Sequence, residues 1–198
     1  MMILTHPLIL EAASTCFRII IMLKYPSNIV LIGMPGSGKS TVGIILAKLT
    51  SRDFVDTDLL IQTSQGRTLQ DIVDTEGYMA LREIEEHILL KLDCFNHVIA
   101  TGGSAVYSHA AMIHLKSKAI VVFLNVEVPV LKSRIRDFAT RGLAKRPDQS
   151  FDDLFEERFT LYTKYADVTI ECKDFTQEEV CEKIIYSIPA GWRERPKP

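Results

Sequence analysis

The chain has 198 residues, 47% of them hydrophobic and 24% charged, an ordinary globular balance with enough length for one domain and a substantial core. A net charge of −2 lends no support to a nucleic-acid surface, and the length is too short for a motor. The four cysteines, Cys16, Cys94, Cys172 and Cys181, form no Cys-x-x-Cys pair, so they point to neither a zinc site nor a redox motif and suit a reducing, cytoplasmic setting.

Residues 1–27 read as an extension outside the native fold. Met1 to Met22 is mildly apolar, but His6, Pro7, Glu11 and Arg18 interrupt it. It lacks the basic start of a signal peptide and is too broken for a membrane span, so no membrane partner is expected. Met22 is an alternative start. A single domain is expected over 28–188, followed by a frayed tail at 189–198 with its prolines and basic side chains.

The first strand is Asn28–Ile32, a short apolar run of the kind buried in a parallel sheet. Residues 33–41 follow as Gly33-Met34-Pro35-Gly36-Ser37-Gly38-Lys39-Ser40-Thr41, the pattern G-x-x-x-x-G-K-[ST]. Its glycines let the backbone curl until successive N–H groups face one anion. Lys39 adds a mobile positive charge for phosphate, and the Ser40 hydroxyl is placed for Mg²⁺. Val42, Ile45, Leu46 and Leu49 then recur at helical spacing, which puts the anion at a helix N-terminus.

A short strand at Phe54-Val55 leads into Asp56-Thr57-Asp58. In an extended stretch both carboxylates point to one site. The competing reading is a pair of loop aspartates that cap the next helix, expected from Leu59 to about Ser64. Gly66-Arg67 turns the chain, Thr68 is the next candidate cap, and Glu76-Gly77 interrupts before a strong helix over 78–92. Arg82 lies in that helix and by itself reads as a surface charge paired with Glu85 or Glu86. Val98–Ala100 is the third strand and ends in Thr101-Gly102-Gly103-Ser104. Residues 109–116 are helical, 119–124 form the clearest strand, and 128–136 form a helix carrying Arg134. The polar segment 137–150 holds Arg141 and Arg146 and reads as a solvated loop or as a mobile ATP lid. A long helix over 151–165 carries Arg158, again a surface charge by default. Val168–Glu171 is the fifth strand and 176–187 the closing helix.

Alternating strands and helices predict an α/β fold with a five-stranded parallel sheet flanked by helices. Such a sheet binds ligands beyond the carboxyl ends of its strands. Three of those ends, at 33–40, 56–58 and 101–104, carry polar or glycine-rich chemistry, which points to phosphoryl transfer. No Asn-Lys-x-Asp guanine motif occurs, so ATP is expected rather than GTP.

The ordered motifs GMPGSGKSTVG at 33–43, FVDTD at 54–58, GRTLQDIVDTEG at 66–77, LREIEE at 81–86, ATGGSAV at 100–106 and ERFTLYTKYAD at 157–167 resemble the shikimate kinase family. The resemblance runs from about residue 28 to residue 187. It implies a P-loop kinase fold like that of the nucleoside monophosphate kinases, with a closing lid. It also implies transfer of the ATP γ-phosphate to the 3-hydroxyl of shikimate, with Mg²⁺, in a monomer. By this resemblance Gly36, Ser37, Gly38, Lys39, Ser40 and Thr41 bind ATP, with Arg134 near the nucleotide and Arg141 as the lid arginine. Ser40 and Asp56 serve the metal. Asp58 binds the acceptor hydroxyls and takes the proton. Arg82 and Arg158 hold the carboxylate, and Gly102 and Gly103 pack against the acceptor ring. Two departures from the family pattern stand out. Ser104 replaces a third glycine beside the acceptor pocket, and Arg141-Gly142-Leu143-Ala144 replaces Arg-Pro-Leu-Leu, with Gly142 expected to loosen the lid. Both leave a related kinase of another hydroxy acid or polyol open.

Overall fold

A computed structural model describes residues 27–134 and 142–190. Within them the elements are β1 (Asn28–Ile32), α1 (Lys39–Thr50), β2 (Asp53–Asp56), α2 (Thr57–Gln65), α3 (Leu69–Lys91), β3 (His97–Ala100), a 3₁₀ turn (Ala105–Tyr107), α4 (His109–Lys116), β4 (Ala119–Asn125), α5 (Val128–Arg134), α6 (Phe151–Tyr165), β5 (Val168–Glu171) and α7 (Gln177–Ser187). Among these residues no helix is long and apolar enough to cross a membrane.

The sheet is five-stranded in the order β2-β3-β1-β4-β5, and every neighbouring pair is parallel. Apolar runs go to the middle and patterned strands to the edge. β1 is buried along its whole length, and in β4 only Asn125 is partly exposed, because helices cover both faces. β5, at one edge, buries Ile170 and exposes Thr169 and Glu171. The order reverses on either side of β1, so the crevice beyond its carboxyl end is where a ligand fits.

The expected elements are present, with shifted bounds. β2 extends to Asp53 and Asp56, and α2 begins at Thr57 rather than Leu59. The interruption expected at Glu76-Gly77 is present: Gly77 is non-helical at φ 87° and ψ 167°, so α3 is two helical stretches that meet at a kink there. The 3₁₀ turn Ala105–Tyr107 had no counterpart in the sequence reading. The helix expected over 128–136 is described as far as Arg134, and of the expected lid only 142–150 falls within the described residues.

Candidate active site

The phosphate loop joins β1 to α1. Most helices around it carry a side-chain cap. Thr68, Ser150 and Thr176 make capping boxes with an acidic residue for α3, α6 and α7, and Asp56 and Ser108 cap α2 and α4. α1 differs. Its N-cap is Gly38 at φ 95°, it has no side-chain cap, and no acid lies in its first turn. Its leading N–H groups and dipole therefore remain available to an anion. Lys39 Nζ donates to the Gly33 and Met34 carbonyls at 2.8 and 3.0 Å, which holds it across the loop. Burial brings its pKa down to about 8, against the opposing pull of Asp58.

Ser40 Oγ donates to Asp56 Oδ2 at 2.6 Å. Asp56 Oδ1 meanwhile accepts the Asp58 and Leu59 N–H groups at 3.0 and 3.4 Å, capping α2. The capping reading of this aspartate therefore holds through one oxygen, while the other faces Ser40. No cluster of three or more His, Cys, Asp or Glu able to hold a metal occurs among the described residues. A hydroxyl and one carboxylate beside a phosphate cradle fit Mg²⁺, which takes few protein ligands and completes its shell with phosphate and water.

Asp58 is not in an extended stretch beside Asp56. It lies in the first turn of α2, half-buried, and desolvation raises its carboxyl above the usual range while Lys39 opposes the rise. Glu85 on α3 is fully buried. Its pKa is pushed up to about 7, first by burial and then by Asp58. Ser104 Oγ donates to Glu85 Oε2, while Oε1 has no hydrogen-bond partner. A Cβ on Gly102 would run into carboxylate oxygens of both Asp58 and Glu85. Gly102 therefore lets the two acids approach one backbone.

Arg158 on α6 is 1% exposed. Its Nη2 donates to the Ala144 carbonyl at 2.9 Å, and Arg82 Nη2 donates to the same oxygen at 3.1 Å. Neither guanidinium has an acidic partner within ion-pair distance among the described residues. Lys39, Ser40, Asp56, Asp58, Glu85, Gly103, Ser104, Arg134, Ala144 and Arg158 all line one cavity of about 760 Å³, together with Gly36, Gly38 and Thr41.

A model of the family described as shikimate kinase matches residues 35–189. The chain belongs to the shikimate kinase family. A shikimate kinase of Rippkaea orientalis is 39% identical over 166 residues, covering 82% of this chain and 88% of its own. The structure of a shikimate kinase from Acinetobacter baumannii in complex with shikimate is similar at a TM-score of 0.75 and 33% identity, over 83% of this chain and 93% of that one. A crystal structure of the Aquifex aeolicus shikimate kinase is similar at 0.69 and 34% identity, over 81% and 95%. The P-loop kinase fold and the ATP-dependent small-molecule kinase expected from the motifs both stand.

Seen as a shikimate kinase, the chain gathers most of the expected residues at one crevice and revises several readings. Arg158 is not a surface charge, because α6 turns it into the core beneath Gly103, where a Cβ would stand 2.8 Å from its Nη1. Arg82 makes no ion pair with Glu85 or Glu86 among the described residues. Its guanidinium carbon stands 3.5 Å from the centroid of the Tyr107 ring instead. Arg82 is not itself part of the cavity lining, whereas the Ala144 that it bonds is. Arg134 is exposed at the end of α5, with Nη1 donating to the Gly36 carbonyl at 3.3 Å. Ser37 is buried under the loop, and its hydroxyl has no hydrogen-bond partner. Arg141 lies outside the described residues.

Gly142 holds a backbone conformation and contacts that a proline would not fit. It sits at φ 59°, its N–H donates to Gln70 Oε1 at 2.7 Å, and a Cβ there would stand 2.5 Å from the Leu69 carbonyl carbon. Proline fails all three requirements. Ser104 is absorbed by Glu85 rather than left free beside the acceptor.

The sequence reading missed Glu85, Tyr107 and Tyr162. Glu85 stands one helical turn after Arg82 on α3, a spacing that had signalled only an ion pair. Tyr162 donates to the Gly103 carbonyl at 2.7 Å and stacks on Phe123 with centroids 5.0 Å apart, so it pins the glycine loop. Nothing in the local sequence signals that role.

Proposed function

We propose that this protein transfers the γ-phosphate of ATP to the 3-hydroxyl of shikimate, a step in aromatic amino-acid synthesis. The observation that carries this reading is Arg158. A fully buried guanidinium costs several kcal/mol when no anion meets it. Arg158 and Arg82 converge on one carbonyl oxygen, and a carboxylate offers the same acceptor chemistry with a charge added. A small carboxylated acceptor bound there extends toward Asp58, and beyond it toward Lys39 and the N-terminus of α1.

The residues then divide the work. Asp58 accepts the proton of the 3-hydroxyl as its oxygen attacks the γ-phosphorus, and its raised pKa makes it a stronger base than an exposed aspartate. Lys39 and the α1 N–H groups stabilise the charge that moves onto the β–γ bridge oxygen as that bond breaks. Ser40 and Asp56 would hold Mg²⁺, which would neutralise phosphate charge. Arg134 stands beside the nucleotide, and Gly103 packs against the acceptor ring. The protein acts as a cytoplasmic monomer, where its described cysteines stay reduced; Cys94, Cys172 and Cys181 are free.

A coupled ATP-turnover assay with shikimate, beside quinate, gluconate, homoserine and nucleoside monophosphates, tests the proposal. Turnover with shikimate and none with the others is expected. Turnover with another of these acceptors and none with shikimate would overturn the acceptor while leaving the phosphate chemistry in place.

A further inference from the structure

Tyr107 ends the 3₁₀ turn that follows Gly102-Gly103-Ser104. Its ring has the Arg82 guanidinium carbon 3.5 Å from the centroid, the separation of two stacked planes. The Tyr78 ring is farther away on the same guanidinium, at 5.1 Å. The Arg158 guanidinium carbon stands 5.4 Å from the Tyr107 centroid. The Tyr107 hydroxyl donates to Glu157 Oε1 at 2.5 Å and accepts from Arg158 Nε at 3.5 Å. Glu157 Oε2 in turn accepts from Gln149 Nε2 at 2.8 Å and Arg146 Nη1 at 3.2 Å. One tyrosine thus touches both cations and, through Glu157, the segment that follows Gly142.

The choice of an aromatic ring has a physical consequence. A carboxylate at this position would hold the guanidinium groups more strongly, but it would occupy their in-plane N–H donors and neutralise them. A ring face attracts the cation through its quadrupole and leaves the donors at the edge of the plane free. Arg82 Nε is buried with no hydrogen-bond partner, as an uncommitted donor should be. The hydrogen bond to Glu157 adds electron density to the phenol, which strengthens both the ring's attraction for Arg82 and the oxygen's for Arg158.

We infer that Tyr107 is a positioning residue that aligns Arg82 and Arg158 as a clamp for the acceptor's carboxylate and links that clamp to Arg146 and Gln149 through Glu157. The inference rests on the proposed role of the two arginines.

The test compares Tyr107→Leu and Tyr107→Phe with the parent in steady-state kinetics. The acceptors are shikimate and an analogue whose carboxylate is replaced by hydroxymethyl. Tyr107→Leu is expected to raise KM for shikimate roughly tenfold, with KM for ATP changed less than about twofold. The preference for shikimate over the neutral analogue falls by the same factor. Tyr107→Phe keeps the ring and shows a smaller rise, about threefold. An unchanged shikimate KM in Tyr107→Leu, or equal losses for ATP and shikimate, would overturn the positioning role. A crystal structure of Tyr107→Leu gives a readout that needs no turnover, since the two guanidinium groups should no longer share the Ala144 oxygen. Unmoved guanidinium groups would overturn the inference whatever the acceptor. Failure of the parent enzyme on shikimate, with displaced guanidinium groups in the variant, would sink the proposed acceptor and leave the positioning intact.

Discussion

Ser40 and Asp56 meet at 2.6 Å across the mouth of the phosphate loop, and the other Asp56 oxygen caps α2. Asn caps a helix about as well as Asp but carries no charge for a metal. Asp56→Asn is therefore expected to keep its melting temperature within about 2 °C while kcat falls at least roughly tenfold and the Mg²⁺ needed for half-maximal rate rises. A large drop in melting temperature with an unchanged Mg²⁺ requirement would show the residue to be only a cap.

Arg158→Lys keeps the charge and loses the planar fork. KM for shikimate should rise between about tenfold and a hundredfold, the worth of one charged hydrogen bond, with KM for ATP nearly unchanged. Parallel losses for both substrates, measured in the same assay, would contradict the carboxylate role.

The Glu85 carboxyl is displaced upward, to about 7, chiefly by burial. The folded protein therefore binds more protons than the unfolded chain between the ordinary carboxylate value and about 7, so stability falls as pH rises through that window. Below it no penalty exists, and above it the penalty is complete. The raised Asp58 acts in the same direction. Glu85→Gln should raise the melting temperature by roughly 5 °C at pH 8 and by little at pH 4. Calorimetry at the two pH values decides this, and an equal shift at both would show that ionisation is not the cause.

Gly142 sits in the left-handed region with backbone packed where a Cβ would go. Gly142→Ala should lower stability by about 1–2 kcal/mol from φ alone. Gly142→Pro should lower it further, because it also removes the N–H given to Gln70. Denaturant melts that rank proline as the milder change would show that the segment leaves this conformation at little cost.

The legible part of the fold was the part whose signals are local. β1 and β4 are continuous apolar runs, and α3, α6 and α7 carry their own caps. Helix and strand were therefore readable, with errors of a residue or two at the ends. The 3₁₀ turn was not legible, because its three residues carry no periodicity. Arg158 shows the limit most clearly. A charged residue next to Glu156 and Glu157 has the sequence pattern of a solvated helix face, and only the family motif suggested another role. Its burial follows from how α6 lies against the glycine loop.

The phosphate end of the site was determined by the sequence by itself. Apart from Asp56 and Arg134, its groups come from residues 33–41 in one continuous piece, and local backbone geometry places them: Gly38 opens the helix, Lys39 folds back over the loop, and Ser40 faces outward. The acceptor end was decided only by tertiary structure. It assembles Asp58, Arg82, Glu85, Ser104, Tyr107, Ala144 and Arg158 from segments far apart in the chain. What matters there is burial, shared oxygens and ring faces. These are properties of packing between elements, which no window of sequence contains.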